Sequence, residues 1–275
     1  MAPLDPTRIY DDWSTFPDRQ VLLVDETRRP VHASKDELVL YTCVGLRASL
    51  ARTVLEEIDT ARRSLAPEYA TLPLKGLDLL RPEINVPCAD LVAAWSRSLA
   101  DVSSVAVLAT TASAMKRSEK TTKCQIRSES KEKGRARVIR GRELVAFMHI
   151  LLVAARAERA GREQIDAIID RSDQNGFGPT KAKLAPGTLE VLGPGRLDLR
   201  SDGSRAALAS DAEFRLIADS DQGPFRDLLM LPDLFGHILI RQYDLQSLMG
   251  TLSSTPFFLL NFDLARAKAA LASET

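Results

Sequence analysis

Val21-Leu22-Leu23-Val24 is a short unbroken apolar run, rich in β-branched residues and flanked by polar sequence, as expected of a buried strand. A second apolar run over residues 37–44 predicts another strand, and Arg28-Arg29-Pro30 between the two reads as a hairpin loop. Leu50, Val54, Leu55 and Ile58 then recur at helical spacing, which predicts an amphipathic helix over 48–65. Pro67, Pro73, Pro82 and Pro87 break the following stretch into a surface excursion. A helix over 89–99, a strand over 102–109 and a helix over 143–161 come next, followed by a strand over 165–169 that stops at Asp170. Residues 171–212 are rich in Gly, Pro and charge and offer one short strand, at 189–192. A last strand, 214–218, runs into Asp219-Ser220, and Pro224 opens an apolar-periodic segment that reaches Tyr243.

A hairpin followed by strand–helix alternation predicts an α/β domain: one mixed sheet with helices on both faces. It occupies residues 20–245, between an N-terminal extension (1–19) and a C-terminal extension (246–275) that packs on the domain. Phe257, Phe258, Leu259, Leu260 and Phe262 make that last stretch densely apolar, which suits core packing or, if exposed, self-association or a protein partner.

Charge changes this picture in one place. The chain carries 37 basic and 37 acidic residues, yet residues 116–142 alone hold a net +8. With almost no large apolar side chains, this segment reads as a mobile insertion. Lys116, Arg117, Lys120, Lys123, Arg127, Lys131, Lys133 and Arg135 are its candidate contacts to DNA or RNA phosphates. It has no Phe, Tyr or Trp for base stacking, so such contacts would be blind to sequence. Cys43, Cys88 and Cys124 show no zinc spacing, and Cys43 is expected in the core. This cysteine usage, without a leader or a membrane-length apolar run, is the pattern of a cytoplasmic protein with no membrane partner.

Three carboxylates occupy comparable places: Asp25 ends the first strand, Asp170 ends a later one, and Asp233 lies in the last apolar segment. Ligands of open α/β sheets bind beyond the carboxyl ends of strands, and gathered carboxylates repel unless a cation joins them. Hard oxygen ligands call for Mg²⁺ or Mn²⁺, and phosphodiester cleavage is the chemistry such a cluster best supports. Glu26, adjacent to Asp25, points to the opposite face of a continuing strand, so it is either a second ligand or the partner of a basic residue. Asp219 is a further ligand candidate, or the start of an Asx-type turn before Pro224. Asp233 follows Pro232, a position that also suits the first turn of a helix. His237, four residues on, would share its helix face.

The ordered set resembles the domain of unknown function 3800 family, whose members are ribonuclease H-like in fold. Val24-Asp25-Glu26-Thr27 is similar to its opening Asp-Glu-Ser-Gly signature, and Pro73-Leu74-Lys75-Gly76 to its Glu-x-Lys-Gly element. Ile168-Ile169-Asp170 is similar to its later strand ending in Asp. Asp219-Ser220 with Leu228-Leu229-Met230-Leu231-Pro232-Asp233 is similar to its Asp-Ser strand end and Leu-Gln-x-Ala-Asp helix. The resemblance implies a ribonuclease H-like sheet, Asp25, Asp170 and Asp233 as catalytic metal ligands, and Lys75 as a phosphate-contacting residue. The expected function is a divalent-metal-dependent nuclease or related phosphodiesterase. Thr27-Arg28, Met230 and Pro232 depart from the family pattern, and the alternative is an inactive binding or accessory protein.

Overall fold

The computed structural model describes residues 2–31, 36–70, 75, 102, 104–114, 123–128, 137–139, 164–170, 188–192, 195–201, 204–210, 214–220, 222–254, 258–260 and 265. The expected helices at 89–99 and 143–161 lie outside these residues.

The N-terminal extension holds β1 (Ala2–Pro3) and α1 (Pro6–Thr15). Asp5 caps α1 by accepting from the Arg8 backbone N–H at 3.5 Å, and Pro6 occupies the first turn. Then follow β2 (Gln20–Val31), β3 (Asp36–Arg47), α2 (Ala48–Arg63), the single turn α3 (Pro67–Ala70) and β4 (Ser104–Thr111). The remaining elements are β5 (Lys123–Ser128), β6 (Arg137–Ile139), β7 (Ile165–Asp170), β8 (Thr188–Leu192), β9 (Gly195–Ser201), β10 (Ser204–Ser210) and β11 (Phe214–Asp219). The described chain closes with α4 (Arg226–Gln242), α5 (Leu245–Ser254) and β12 (Phe258–Leu260).

The main sheet has eight strands in the order β1-β8-β11-β7-β2-β3-β4-β12. Strands β2, β3 and β4 are successively antiparallel, whereas β7 runs parallel to β2 and β11 parallel to β7. The molecule is thus mixed α/β with a mixed sheet. Helices α1, α2 and α4 bury Ile9, Trp13, Val54, Ile58, Phe225, Leu228 and Phe235 against Val21, Leu23, Val44, Ile168 and Ile217 on one face. The far end of α4 and α5 continue that layer through Leu239, Leu248 and Leu252 over Leu38, Leu40, Val107 and Leu260. Cys43 is buried, as expected of a small core residue. At the outer strand β12, Leu260 is buried while Phe258 and Leu259 are exposed. None of the described helices is long and apolar enough to cross a membrane.

Two expectations are corrected. Arg28-Arg29-Pro30 is not a loop: β2 runs on to Val31, with Arg28 opposite Val39 and Pro30 opposite Glu37. The segment 171–212, expected to hold a single strand, supplies β8, β9 and β10; the last two join β5 and β6, from the basic stretch 116–142, in a second, antiparallel sheet of order β10-β9-β5-β6.

Gly236 sets how closely α4 approaches the sheet. A β-carbon there would collide with Thr27 Oγ1 and stand 3.0 Å from Thr27 Cβ and 3.2 Å from Thr42 Oγ1. Gly236→Ala is therefore expected to destabilise the protein by about 1–3 kcal/mol through overpacking, outweighing the gain of up to ~1 kcal/mol from helix propensity. Adding Thr27→Ala should recover part of the loss, a non-additivity that denaturant melts of the four variants in the cycle would reveal.

Candidate functional site

The register of the parallel strands gathers the carboxylates. Val24 of β2 lies opposite Ile169 of β7, and β7 ends one residue later at Asp170, beside Asp25. Asp170 in turn pairs with Asp219, the last residue of β11. Strand parity places Asp25, Asp170 and Asp219 on the same face as Leu23, Ile168 and Ile217, the face covered by α4. Asp233 comes from α4 itself. Pro232 does not restart this helix; Asp233 lies well inside a continuous 17-residue element rather than in its first turn. Asp25, Asp219 and Asp233 are buried.

The carboxylates feel one another. Burial pushes Asp25 well above the usual carboxylate range, and the nearby charges of Asp170 and Asp233 push it further. The Glu26 backbone N–H, donating to Asp25 Oδ1 at 2.7 Å, works in the other direction. Asp25 and Asp170 stand on neighbouring parallel strands where β7 ends, close enough that Asp170 disfavours the charge on Asp25. Asp219 is raised to about 6, first by burial and then by Asp170, although the backbone N–H groups of Phe225 (2.6 Å) and Ser220 hold it down. Gly223 packs so tightly on this carboxylate that a β-carbon there would collide with Asp219 Oδ1. Asp219 is thereby fixed at the end of β11, held by the Phe225 N–H six residues on, while still adding its field to the site.

His237 approaches Asp233 Oδ1 through Nε2 at 3.3 Å, one helical turn on. Glu26 does not join the group. It lies on the opposite face and is held by Arg28, whose Nε reaches Glu26 Oε1 at 2.8 Å. The basic-partner reading therefore describes it, and the ligand reading does not. Lys75 is exposed and outside regular structure. Lys123 and Arg127 are placed in β5, whereas Lys116, Arg117, Lys120, Lys131, Lys133 and Arg135 lie outside the described residues.

Sequence reasoning missed two flanking groups. Tyr10 donates to the Pro224 carbonyl at 3.3 Å, and burial together with Asp219 and Asp227 pushes its phenol up to about 12. Asp227, in the first turn of α4, takes a two-point contact from Arg62 of α2, with Nη2–Oδ1 at 2.6 Å and Nε–Oδ2 at 3.3 Å. That pair ties the helix carrying Asp233 to its neighbour. No local signal marks either contact, because the partners lie far apart in sequence.

Among the described residues, no three His, Cys, Asp or Glu side chains form a group arranged to hold a metal ion. The donor set nevertheless suits Mg²⁺ or Mn²⁺ in a plainer mode. Asp25 and Asp170 offer hard oxygens from neighbouring strands, and Mg²⁺ is commonly held by one or two carboxylates with its remaining positions filled by water and substrate phosphate. Comparison with family models, curated proteins and solved structures finds no match for this chain.

Proposed function

We propose that this protein is a divalent-metal-dependent nuclease or related phosphodiesterase on a ribonuclease H-like sheet. The observation that carries this reading is the convergence of Asp25 and Asp170 on neighbouring parallel strands, with Asp233 of α4 near enough to act on Asp25. Two adjacent acids at the edge of a core are costly as neighbours, and a bound cation would relieve their repulsion. The antiparallel β2–β3–β4 start and the parallel return of β7 and β11 support the fold that the sequence resemblance implies.

In this reading Asp25 and Asp170 hold Mg²⁺ or Mn²⁺, and Asp233 completes the negative wall of the site. Asp219 strengthens the local field from the end of β11. When bound, the cation supplies Lewis-acid stabilisation of the phosphoryl oxygens and a more acidic water. His237, beside Asp233, is placed to carry a proton, and Lys75 is the candidate for a phosphate contact.

An inactive binding or accessory protein is the second reading. The lack of a three-ligand group among the described residues favours it. The test is cleavage of single- and double-stranded DNA and RNA with Mg²⁺, Mn²⁺ or EDTA. Wild type should cleave only with the cation, and Asp25→Asn and Asp170→Asn should each lose about 10²–10³-fold in rate, the scale for removing one electrostatic contributor. Cleavage that survives in both variants would overturn the assignment of the activity to Asp25 and Asp170, and cleavage of no substrate would favour the second reading.

A further inference from the structure

The second sheet has two unlike faces. Register places Lys123 and Arg127 of β5, Arg196 and Arg200 of β9 and Arg205 of β10 on one of them, with Gln125, Val138, Asp198, Ala207 and Ala209. Cys124, Ile126, Leu197, Leu199, Ala206, Leu208 and Ile139 fall on the other, together with Arg137. Such alternation is the sequence pattern common in antiparallel sheets that have one packed and one solvated face.

The basic positions fall into two rows. Lys123, Arg200 and Arg205 are consecutive cross-strand neighbours, and Arg127 is paired with Arg196. Like charges at directly opposite positions disfavour a sheet, and an anion shared between such positions offsets the repulsion. Asp198 is the single acidic position on that face among the described residues. The rows are four residues apart along the strands, about 13 Å, and three adjacent strands span about 10 Å. That spread exceeds the size of one phosphate group and matches a polymer that presents phosphates repeatedly.

We propose that this basic face binds the phosphate backbone of a nucleic-acid duplex, without reading its bases. A duplex fits better than a single strand because β5, β6, β9 and β10 contain no Phe, Tyr or Trp to stack on exposed bases. Recognition by charge alone requires none. The binding rests on the second sheet only, and it persists whether or not the carboxylates of the main sheet hold a metal.

The test is fluorescence anisotropy with short labelled DNA and RNA duplexes and the matching single strands, in EDTA so that no cleavage intervenes. Five phosphate contacts predict a slope of log affinity against log salt of about −4.5, or roughly a 500-fold loss between 50 and 200 mM salt. Arg196→Gln/Arg200→Gln/Arg205→Gln should flatten the slope to about −1.8, leaving a loss of only about 12-fold over the same range. Asp198→Asn removes the one negative position and should tighten binding, a gain of affinity that misfolding cannot imitate. Unchanged slopes in the triple variant would overturn the proposal. So would a preference for single strands, or binding to phosphatidylserine vesicles with none to duplexes. If duplexes bind as described while no cleavage is ever seen, the metal-site reading fails and this one stands.

Discussion

Replacing Asp166 by alanine is expected to destabilise the protein by about 3–5 kcal/mol, the cost of removing one partner from a buried ionic group. Asp166 is fully buried on β7, four residues before Asp170 and on the same face. It accepts from Trp13 Nε1 at 2.6 Å and from Arg215 Nε at 2.6 Å and Nη2, and Arg19 Nη1 approaches it at 3.5 Å. Arg215 also contacts Asp12. Burial works against the charge on Arg215, but Asp166 and then Asp12 raise its pKa overall, so the guanidinium stays charged. Alanine would leave Arg19 and Arg215 buried with Asp12 as their remaining carboxylate. It would also leave the Trp13 N–H without its acceptor. At about 2–4 °C per kcal/mol for a chain of this size, Tm should fall by roughly 6–20 °C. Asp166→Asn, which keeps an acceptor for Trp13, should cost less. In an Asp166→Ala/Arg215→Met cycle the double variant should lose less than the sum of its parts. A loss below about 1 kcal/mol in Asp166→Ala would show that the group contributes little.

That group illustrates what could not be read along the chain. Asp166 lies 153 residues from Trp13 and 49 from Arg215, and no local pattern links them. The apolar runs of β2, β3, β7 and β11 were legible because strands buried on both faces are rich in apolar residues at successive positions. Their lengths were not. In β2 the turn signal of Arg28-Arg29-Pro30 yields to pairing with β3, and Arg28 is neutralised by Glu26 and by Glu37 at 3.4 Å. Pro30 is tolerated one residue from the strand's end, where the loss of a donor costs least. In α4 the proline removes a single hydrogen bond, and burial of Leu228, Leu231, Leu234, Phe235 and Ile238 keeps the helix continuous. The strands of the basic stretch were hidden for a different reason: its overall composition argues against a core, and the short period-2 pattern of Lys123–Ser128 takes on meaning only in register with β9.

The candidate site was legible as residue types and strand ends, and only register could show which of them meet. Asp219 illustrates the difference: it reads as a turn former, yet it stands directly beside Asp170. Glu26 illustrates the converse, since adjacency to Asp25 in sequence puts it on the wrong face.

The second large effect follows from the raised carboxylates. A carboxyl whose folded pKa exceeds its unfolded value binds its proton more tightly in the native state. Its contribution is therefore most favourable below the unfolded pKa and is lost as pH rises through the folded one. For Asp219, raised from 3.8 to about 6, the loss between pH 4 and pH 7 is about 2.4 kcal/mol. Asp25, also raised, acts in the same direction. Asp25→Asn removes this penalty while keeping an oxygen for the Glu26 N–H. In EDTA the variant should match wild type near pH 4 and become the more stable of the two as pH approaches 7. Comparing the pair cancels the ordinary carboxylates, which titrate alike in both. Mg²⁺ or Mn²⁺ at a hundredfold excess over its dissociation constant should stabilise wild type by about 2.7 kcal/mol at pH 7. The same addition should leave Asp25→Asn nearly unmoved. Thermal melts across pH, with and without the cation, measure both effects. Equal metal stabilisation of the two proteins would place the cation elsewhere, and parallel pH curves would show that Asp25 is not held among repelling charges.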